Sequence, residues 1–197
     1  MRLLTKFIAG IVLTATTANA EVINFDSFVP GGFQAGTSGS FQLTAMNAQI
    51  EVAGTIPGSA TQTFLQNNAN ALSTLSITRI GGGLFSLTNF LWGFDALGPS
   101  NAAVASTVWS GALSETFRPA GAIVDTALTP FAPSGDLNGV NISQLNFTLS
   151  NNGGGSFGLD SINLDLVGAA TVPEPSSIAF LMLGGAGFWL KRRRQVA

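Results

Sequence analysis

The spacing of apolar residues between positions 21 and 172 constrains the fold of this chain more than any other feature. Short apolar stretches rich in β-branched residues alternate there with Gly, Asn, Ser and Pro, and none keeps a 3.6-residue spacing long enough to define a helix. The stretch 61–71 comes nearest and is left open as a short helix or turn. Regularly spaced strands with turn signals throughout predict an all-β domain, a β-sandwich.

Alternating apolar and polar residues locate several of these strands. One strand, or a pair of strands, is predicted over about 40–54, where Leu43 and Ala45 lead towards Ile50 and Val52. Two further strands are predicted from alternations that end in glycine-rich turns: Leu75 and Ile77 before Gly81–Gly83, and Leu145, Phe147 and Leu149 before 151–155.

The last predicted strand, 156–167, contains an irregularity. Its apolar residues stand at odd positions at Phe157 and Leu159 but at even positions from Ile162 onward. Since side chains alternate between the two faces of a strand, both sets can share one face only if an extra residue is inserted. We therefore predict a bulge near Asp160–Ser161, with burial of the strand on both faces as the alternative.

Residues 1–20 have the three parts of a secretory signal. Arg2 and Lys6 form a positive start, residues 7–13 an apolar core, and Ala18-Asn19-Ala20 a small-x-small cleavage site. The apolar run is too short to span a bilayer, which requires about 20 residues. We predict a signal helix that signal peptidase removes by cutting between Ala20 and Glu21.

The C-terminal residues 173–197 read as a membrane segment with a preceding motif. Pro173-Glu174-Pro175 is followed by an apolar helix at about 177–190 and then by the basic residues 191–194. A helix this short needs its serines and snorkelling basic side chains to approach the roughly 30 Å of hydrocarbon. The basic cluster should stay cytoplasmic, which leaves 21–172 on the far side. A plain single-pass anchor is the alternative.

This tail resembles the PEP-CTERM sorting signal of Gram-negative, exopolysaccharide-producing bacteria. The residues that match are Pro173, Glu174 and Pro175 of the motif and Arg192, Arg193 and Arg194 of the basic end. The resemblance implies transient anchoring in the membrane and removal of the tail by an exosortase-like membrane protease. The protein would then reach the cell surface or extracellular matrix. It implies nothing about 21–172.

The ends of the middle segment carry a second, looser resemblance. The opening EVINFDSF and the closing FGLDSINLDL are similar to the first and last strands of jelly-roll domains found in PEP-CTERM proteins and carbohydrate-binding modules. This resemblance implies a jelly-roll-like sandwich with its first and last strands paired.

Composition argues against several functions. The chain has no Cys, His or Tyr, and 21–172 contains no Lys, so a catalytic triad would have no ordinary base. That segment holds nine acidic and two basic residues, a net charge of −7, which argues against nucleic acid as a partner. A secreted glycoside hydrolase with two catalytic carboxylates would have Glu51 and Glu115 as its candidates, the only Glu between residue 22 and the tail. We expect a protein without enzymatic activity.

Asp26 and Asp160, with Asp165 nearby in sequence, form a candidate Ca²⁺ site. If the first and last strands pair, these acids approach one another, and Asn24 and Asn163 would add the oxygen ligands that Ca²⁺ prefers. No other cofactor is expected. The alternative is that the acids are solvated strand ends or turn caps.

Trp92 and Trp109 form a candidate glycan-stacking platform. Phe90, Phe94 and Phe117 would extend it, since sugars stack their apolar faces on flat rings. The alternative is that these rings fill the core of the sandwich.

Together these patterns predict an exported, non-enzymatic surface or matrix protein associated with exopolysaccharide or a biofilm. A lectin-like module, a self-associating structural protein and a secreted hydrolase are the alternatives.

Overall fold

The computed structural model describes residues 19–66, 72–95, 102–103, 105–118, 121–122, 126–150 and 156–168. Residues 18–167 form one compact unit. Within the described ranges, no helix long and apolar enough to cross a membrane is found. The predicted signal helix, transmembrane helix and sorting motif lie outside those ranges.

Thirteen strands make up the regular structure of this part of the chain. In chain order they are β1 (Asn19–Ile23), β2 (Gly31–Ser38), β3 (Phe41–Glu51), β4 (Thr63–Gln66), β5 (Leu72–Arg79), β6 (Phe85–Asp95), β7 (Ala102–Ala103), β8 (Ser106–Ser110), β9 (Leu113–Arg118), β10 (Gly121–Ala122), β11 (Thr126–Phe131), β12 (Gln144–Ser150) and β13 (Ser156–Leu166).

Eleven of the strands hydrogen-bond into one continuous antiparallel sheet with two halves. One half contains β3, β5, β12, β8 and β9 in that order, with β2 on the other side of β3. The second half contains β11, β6 and β13, with β1 beside β13. β4 joins the halves because it pairs with both β3 and β13. The short strands β7 and β10 pair with each other.

Aromatic side chains from the two halves meet in the core. Phe85 of β6 contacts Phe41 of β3, and Phe90 of β6 contacts Phe147 of β12, each pair edge to face with ring centroids 5.0 Å apart. All four are 0% exposed. The two halves therefore enclose one core, and the predicted all-β sandwich is confirmed.

The last strand contains the predicted bulge. Pairing of β13 with β6 shifts register between Asp160 and Asn163, and Ser161 takes a left-handed φ of 47°. After the shift the buried positions alternate from Ile162 onward. Before it, Phe157, Leu159 and Asp160 are all buried, so burial on both faces also holds for that part of the strand.

The other strand predictions are confirmed with small differences in bounds. The stretch 40–54 forms β3, and the two alternations after it form β5 and β12. The turn at Gly81–Gly83 forms with positive φ at all three glycines. The open stretch contains β4 at Thr63–Gln66, while 67–71 and the turn at 151–155 lie outside the described residues.

The two chain ends of the described unit lie together. Asn19 of β1 pairs with Leu166 of β13, next to the β2–β3 turn at Gly39–Ser40 and the β5–β6 turn at 80–84. The Ile80 amide donates to the Ser40 carbonyl and the Val167 amide to the Leu84 carbonyl, which ties these segments into one edge. This edge is called the tail end below.

Candidate functional site

The solvent side of the five strands β3, β5, β12, β8 and β9 carries rows of uncharged side chains. Inward positions such as Ile77, Phe147 and Val108 are 0% exposed, so the residues between them point outward. Register aligns the outward residues in two rows, Thr44, Ser76, Asn146, Trp109 and Ser114 in one and Met46, Thr74, Thr148, Thr107 and Thr116 in the other. This surface, the outer face, extends about 19 Å across four strand spacings.

Trp109 is the aromatic residue of these rows. Its indole Nε1 donates to Thr148 Oγ1 at 3.0 Å, which fixes the ring against β12 while leaving it half-buried. The amide of Asn146 donates weakly to the Trp109 carbonyl at 3.5 Å. The ring is therefore held in one orientation beside an amide.

Amides and hydroxyls around Trp109 hydrogen-bond to each other. Gln144 Nε2 donates to Ser76 Oγ at 2.8 Å and to Asn146 Oδ1 at 2.9 Å. The first bond joins β12 to β5 and the second lies within β12, so together they order polar groups that would otherwise rotate freely. Asn146 is only 6% exposed, which leaves Gln144 as the amide open to solvent in this group. The result is a preorganised, neutral, polar surface with one flat ring, the chemistry on which sugar hydroxyls and CH faces bind.

Trp92 lies in a different environment. On β6 it packs against the core with its ring parallel to that of Phe157, 10° between planes and 5.7 Å between centroids. The three phenylalanines grouped with it in the sequence are buried in the core: Phe90, Phe94 and Phe117. The alternative of a core role is the one that this packing supports for all four rings.

Asp26 and Asp160 accept hydrogen bonds from two consecutive residues just before β4, Gln62 and Thr61. Asp26 Oδ1 accepts the Gln62 backbone amide at 3.0 Å, and Asp160 Oδ2 accepts the Thr61 hydroxyl at 2.8 Å. Asp160 also accepts the Ser161 amide at 2.7 Å and is only 2% exposed, whereas Asp26 is exposed. The pairing of β1 with β13 thus places both acids beside one segment, 61–62.

The side-chain amide of Gln62 binds two backbone carbonyls beside these acids. Its nitrogen donates to the Phe28 carbonyl oxygen at 2.8 Å and to the Phe25 carbonyl oxygen at 3.1 Å. No group of three or more acidic residues suited to a metal exists in the described ranges.

The other predicted oxygen ligands lie elsewhere. Asn163 Nδ2 donates to Asn89 Oδ1 and to the Ser161 carbonyl, both at 2.8 Å. Asp165 accepts the Thr88 hydroxyl at 3.1 Å. Asn24 is exposed.

Glu51 and Glu115 serve different local contacts. Glu115 Oε2 and Oε1 accept the Ser134 and Leu137 amides at 3.0 and 2.9 Å, which fastens the loop before β12. Glu51 accepts the amide of Gln49. Their strands, β3 and β9, are four spacings apart, about 19 Å along the sheet. Paired carboxylates of glycosidases stand about 5–9.5 Å apart.

Arg118 is a buried cation between aromatic rings. Its guanidinium carbon lies 5.1 Å from the Phe94 centroid and 5.8 Å from that of Phe157, and Nη1 has no hydrogen-bond partner within the part of the chain described. Burial lowers the pKa of Arg118 because the charged form loses hydration.

Reasoning from sequence alone missed two parts of these sites. Thr61 and Gln62 fall in the stretch left open between helix and turn, and no spacing rule links them to the acids. The amides beside Trp109 were detectable, because the even positions of β12, Gln144, Asn146 and Thr148, are polar between buried odd positions.

The fold defines an all-β sandwich with a neutral polar outer face and clustered chain ends. The chain carries a second, separate feature: residues 171–195 match the family model of the PEP-CTERM protein-sorting motif. The predicted sorting signal is thereby confirmed, and it indicates export and membrane-anchored sorting toward the cell surface.

Several solved structures resemble the sandwich at low identity. One is a CBM29-2 mutant from the family 29 carbohydrate binding modules, complexed with mannohexaose (12% identity, TM-score 0.43, covering 76% of this chain and 93% of that chain). Another is the CBM22-1 xylan-binding domain from Paenibacillus barcinonensis Xyn10C (15%, 0.42, 80% and 100%). A third is a family 35 carbohydrate binding module from Clostridium thermocellum (14%, 0.39, 75% and 98%).

No curated protein matches the sequence.

Proposed function

We propose that this protein is a non-enzymatic component of the cell surface or extracellular matrix that binds exopolysaccharide on its outer face. The observation that carries the proposal is Trp109, a half-buried ring fixed by Thr148 among uncharged amides and hydroxyls. The sorting motif supports it, because a protein exported to the surface meets extracellular polysaccharide. Signal peptidase and an exosortase-like protease would process the precursor.

The chemistry of the outer face favours glycan over protein as the ligand. Its two rows contain no charged residue, and their hydroxyl and amide groups can donate and accept bonds in the pattern that sugar hydroxyls need. At the margin, Met46 and Leu72 are 63% and 53% exposed and offer apolar contact to sugar CH groups. Trp109 and Met46 are the two large apolar side chains of these rows, and the hydroxyl and amide groups around them outnumber what the apolar core of a protein–protein interface contains.

The test is co-sedimentation of the mature protein, recovered from producing cells, with that organism's exopolysaccharide. Trp109→Ala should weaken retention about thirtyfold, since truncating a buried Trp anchor costs roughly 2 kcal/mol of binding. Trp109→Phe should retain part of the affinity. Trp92→Phe is the matched control, because its ring stacks on Phe157 against the core and lies outside the rows of the outer face, so the change should affect stability but not retention.

Each result has a definite meaning. Equal retention of wild type and Trp109→Ala would refute the outer-face site. Wild type that does not sediment with the polysaccharide, yet self-associates, would instead support the structural protein that pairs through sheet edges.

We further propose that Ca²⁺ binds beside Asp26, whose carboxylate is exposed. Support comes from Asp26 and Asp160, which accept hydrogen bonds from the consecutive residues Gln62 and Thr61, together with the preference of Ca²⁺ for carboxylate and carbonyl oxygens. Ca²⁺ should then raise the thermal midpoint and a chelator should lower it. An identical midpoint under both conditions would refute the Ca²⁺ site.

A further inference from the structure

The predicted signal-peptide cleavage site lies inside a strand of the folded domain. Ala20 pairs with Asp165 and Glu21 with Leu164, so the bond between Ala20 and Glu21 is in the middle of β1. A protease requires an extended segment that is free of other pairing. Ala20 is exposed, but strand pairing therefore keeps the bond out of the conformation in which a protease cuts it.

Glu21 has a second attachment at the tail end. Its carboxylate accepts the Ser40 amide at 2.8 Å through Oε2 and the Ser40 hydroxyl at 2.5 Å through Oε1. Gly39 makes room for it, since a Cβ there would stand 2.5 Å from Oε2, and its φ of +54° suits glycine. The β2–β3 turn is thus shaped around the Glu21 side chain.

We propose that the contact between Glu21 and Ser40 is a latch that fastens the new N-terminus after the signal is removed, and that cleavage must precede closure of this latch. Cleavage adds water across the Ala20–Glu21 peptide bond, leaving a carboxylate on Ala20 and an α-ammonium on Glu21. The mature strand then keeps three of its five residues, Glu21–Ile23. Buried Ile23 and the Glu21 carboxylate must hold it.

The order of export agrees with this sequence of events. β13, the partner of β1, is the last strand of the described unit to be exported. Until it arrives, the segment 19–23 has no strand to pair with, and the cleavage site is accessible. A chain that folds before cleavage closes the latch over the bond.

The inference rests on cleavage before Glu21 and is independent of glycan binding. Its test uses the folded full-length precursor in detergent micelles with signal peptidase. Cleavage of a folded chain passes through an opened state, so its rate follows the population of that state. Ser40→Ala, which removes one hydrogen bond to a carboxylate, should raise the rate about tenfold. Ser40→Asp, which places a like charge against Glu21, should raise it further.

Thr55→Ala and Thr55→Asp are the matched controls. The Thr55 hydroxyl binds only the nearby Val52 carbonyl, among the contacts described, and lies away from the tail end. Both controls should be cleaved at the wild-type rate. Hydrogen exchange of the β12 amides should be unchanged in every variant, which separates an opened latch from an unfolded domain.

Two outcomes would overturn the inference in distinguishable ways. A product whose intact mass does not begin at Glu21 would refute the cleavage assignment itself. A product beginning at Glu21 that forms equally fast from wild type, Ser40→Ala and Ser40→Asp would refute the latch alone. Neither result bears on retention by polysaccharide.

Discussion

Replacing Asp160 should destabilise the domain more than replacing any other acid whose contacts are described. Its carboxylate is 2% exposed and accepts two hydrogen bonds, from Ser161 N at 2.7 Å and Thr61 Oγ1 at 2.8 Å. A hydrogen bond to a charged group contributes about 1.5–3 kcal/mol to stability. Asp160→Ala should therefore cost about 3–4 kcal/mol, a large part of the 5–15 kcal/mol typical of a domain.

The position of Asp160 adds to that cost. Ser161 follows it with φ of 47°, a conformation that the Asp160 carboxylate stabilises through the Ser161 amide. Asp160→Asn keeps an oxygen for that amide and should lose only about 1–2 kcal/mol. Comparison of Asp160→Asn with Asp160→Ala separates the effect of losing the charge from the effect of losing the hydrogen bond to the Ser161 amide.

The assay is urea unfolding of the mature protein, followed by tryptophan fluorescence. Asp165→Asn is the control, because its carboxylate makes one exposed contact with Thr88 and should change stability by less than about 1 kcal/mol. The denaturant slope should be unchanged in all variants. If the free energies of unfolding of Asp160→Ala and Asp165→Asn differ by less than about 1 kcal/mol, the expected contribution of the buried, hydrogen-bonded carboxylate is refuted.

Two further stability predictions use the same measurement. Arg118→Met should leave the free energy of unfolding unchanged or raise it by up to about 2 kcal/mol. The reason is that it removes a buried cation whose Nη1 lacks a partner in the described residues. A loss of stability above about 1 kcal/mol would contradict this. Gly36→Ala should cost about 1–3 kcal/mol, because the new Cβ would stand 2.3 Å from the Phe28 ring. Gly32→Ala, which meets nothing within 4 Å, should be nearly neutral, and equal effects of the two would refute the steric argument.

Local pattern predicted much of the fold. β3, β5 and β12 follow from alternation, because one face of each strand is buried and the period of two leaves no other register. The bulge in β13 follows from the change of parity at Asp160–Ser161. β4 was missed as a strand because its four residues are too few to establish a period against the Asn- and Thr-rich stretch around them.

The environments of the two candidate tryptophans could not be predicted from local pattern. Trp109 and Trp92 look alike in sequence, each within a short apolar stretch. They differ because Trp109 alternates with buried Val108 on β8, whereas Trp92 stacks on Phe157 of a neighbouring strand. Both rings are half-buried, and which of them lies on the outer face depends on the neighbouring strands, which no local window contains.

The sequence by itself determined where this protein is sent, since a sorting motif is a linear signal whose residues act in order along the chain. It also determined the all-β class, because alternation and turn residues are local properties. Only the tertiary structure decided which residues act together. Strand pairing brought Asp26 and Asp160 to the same segment, placed Ser40 against Glu21, and aligned Trp109 with the amides of β12. These contacts join residues 19 to 99 positions apart, and their formation depends on the order and register of whole strands.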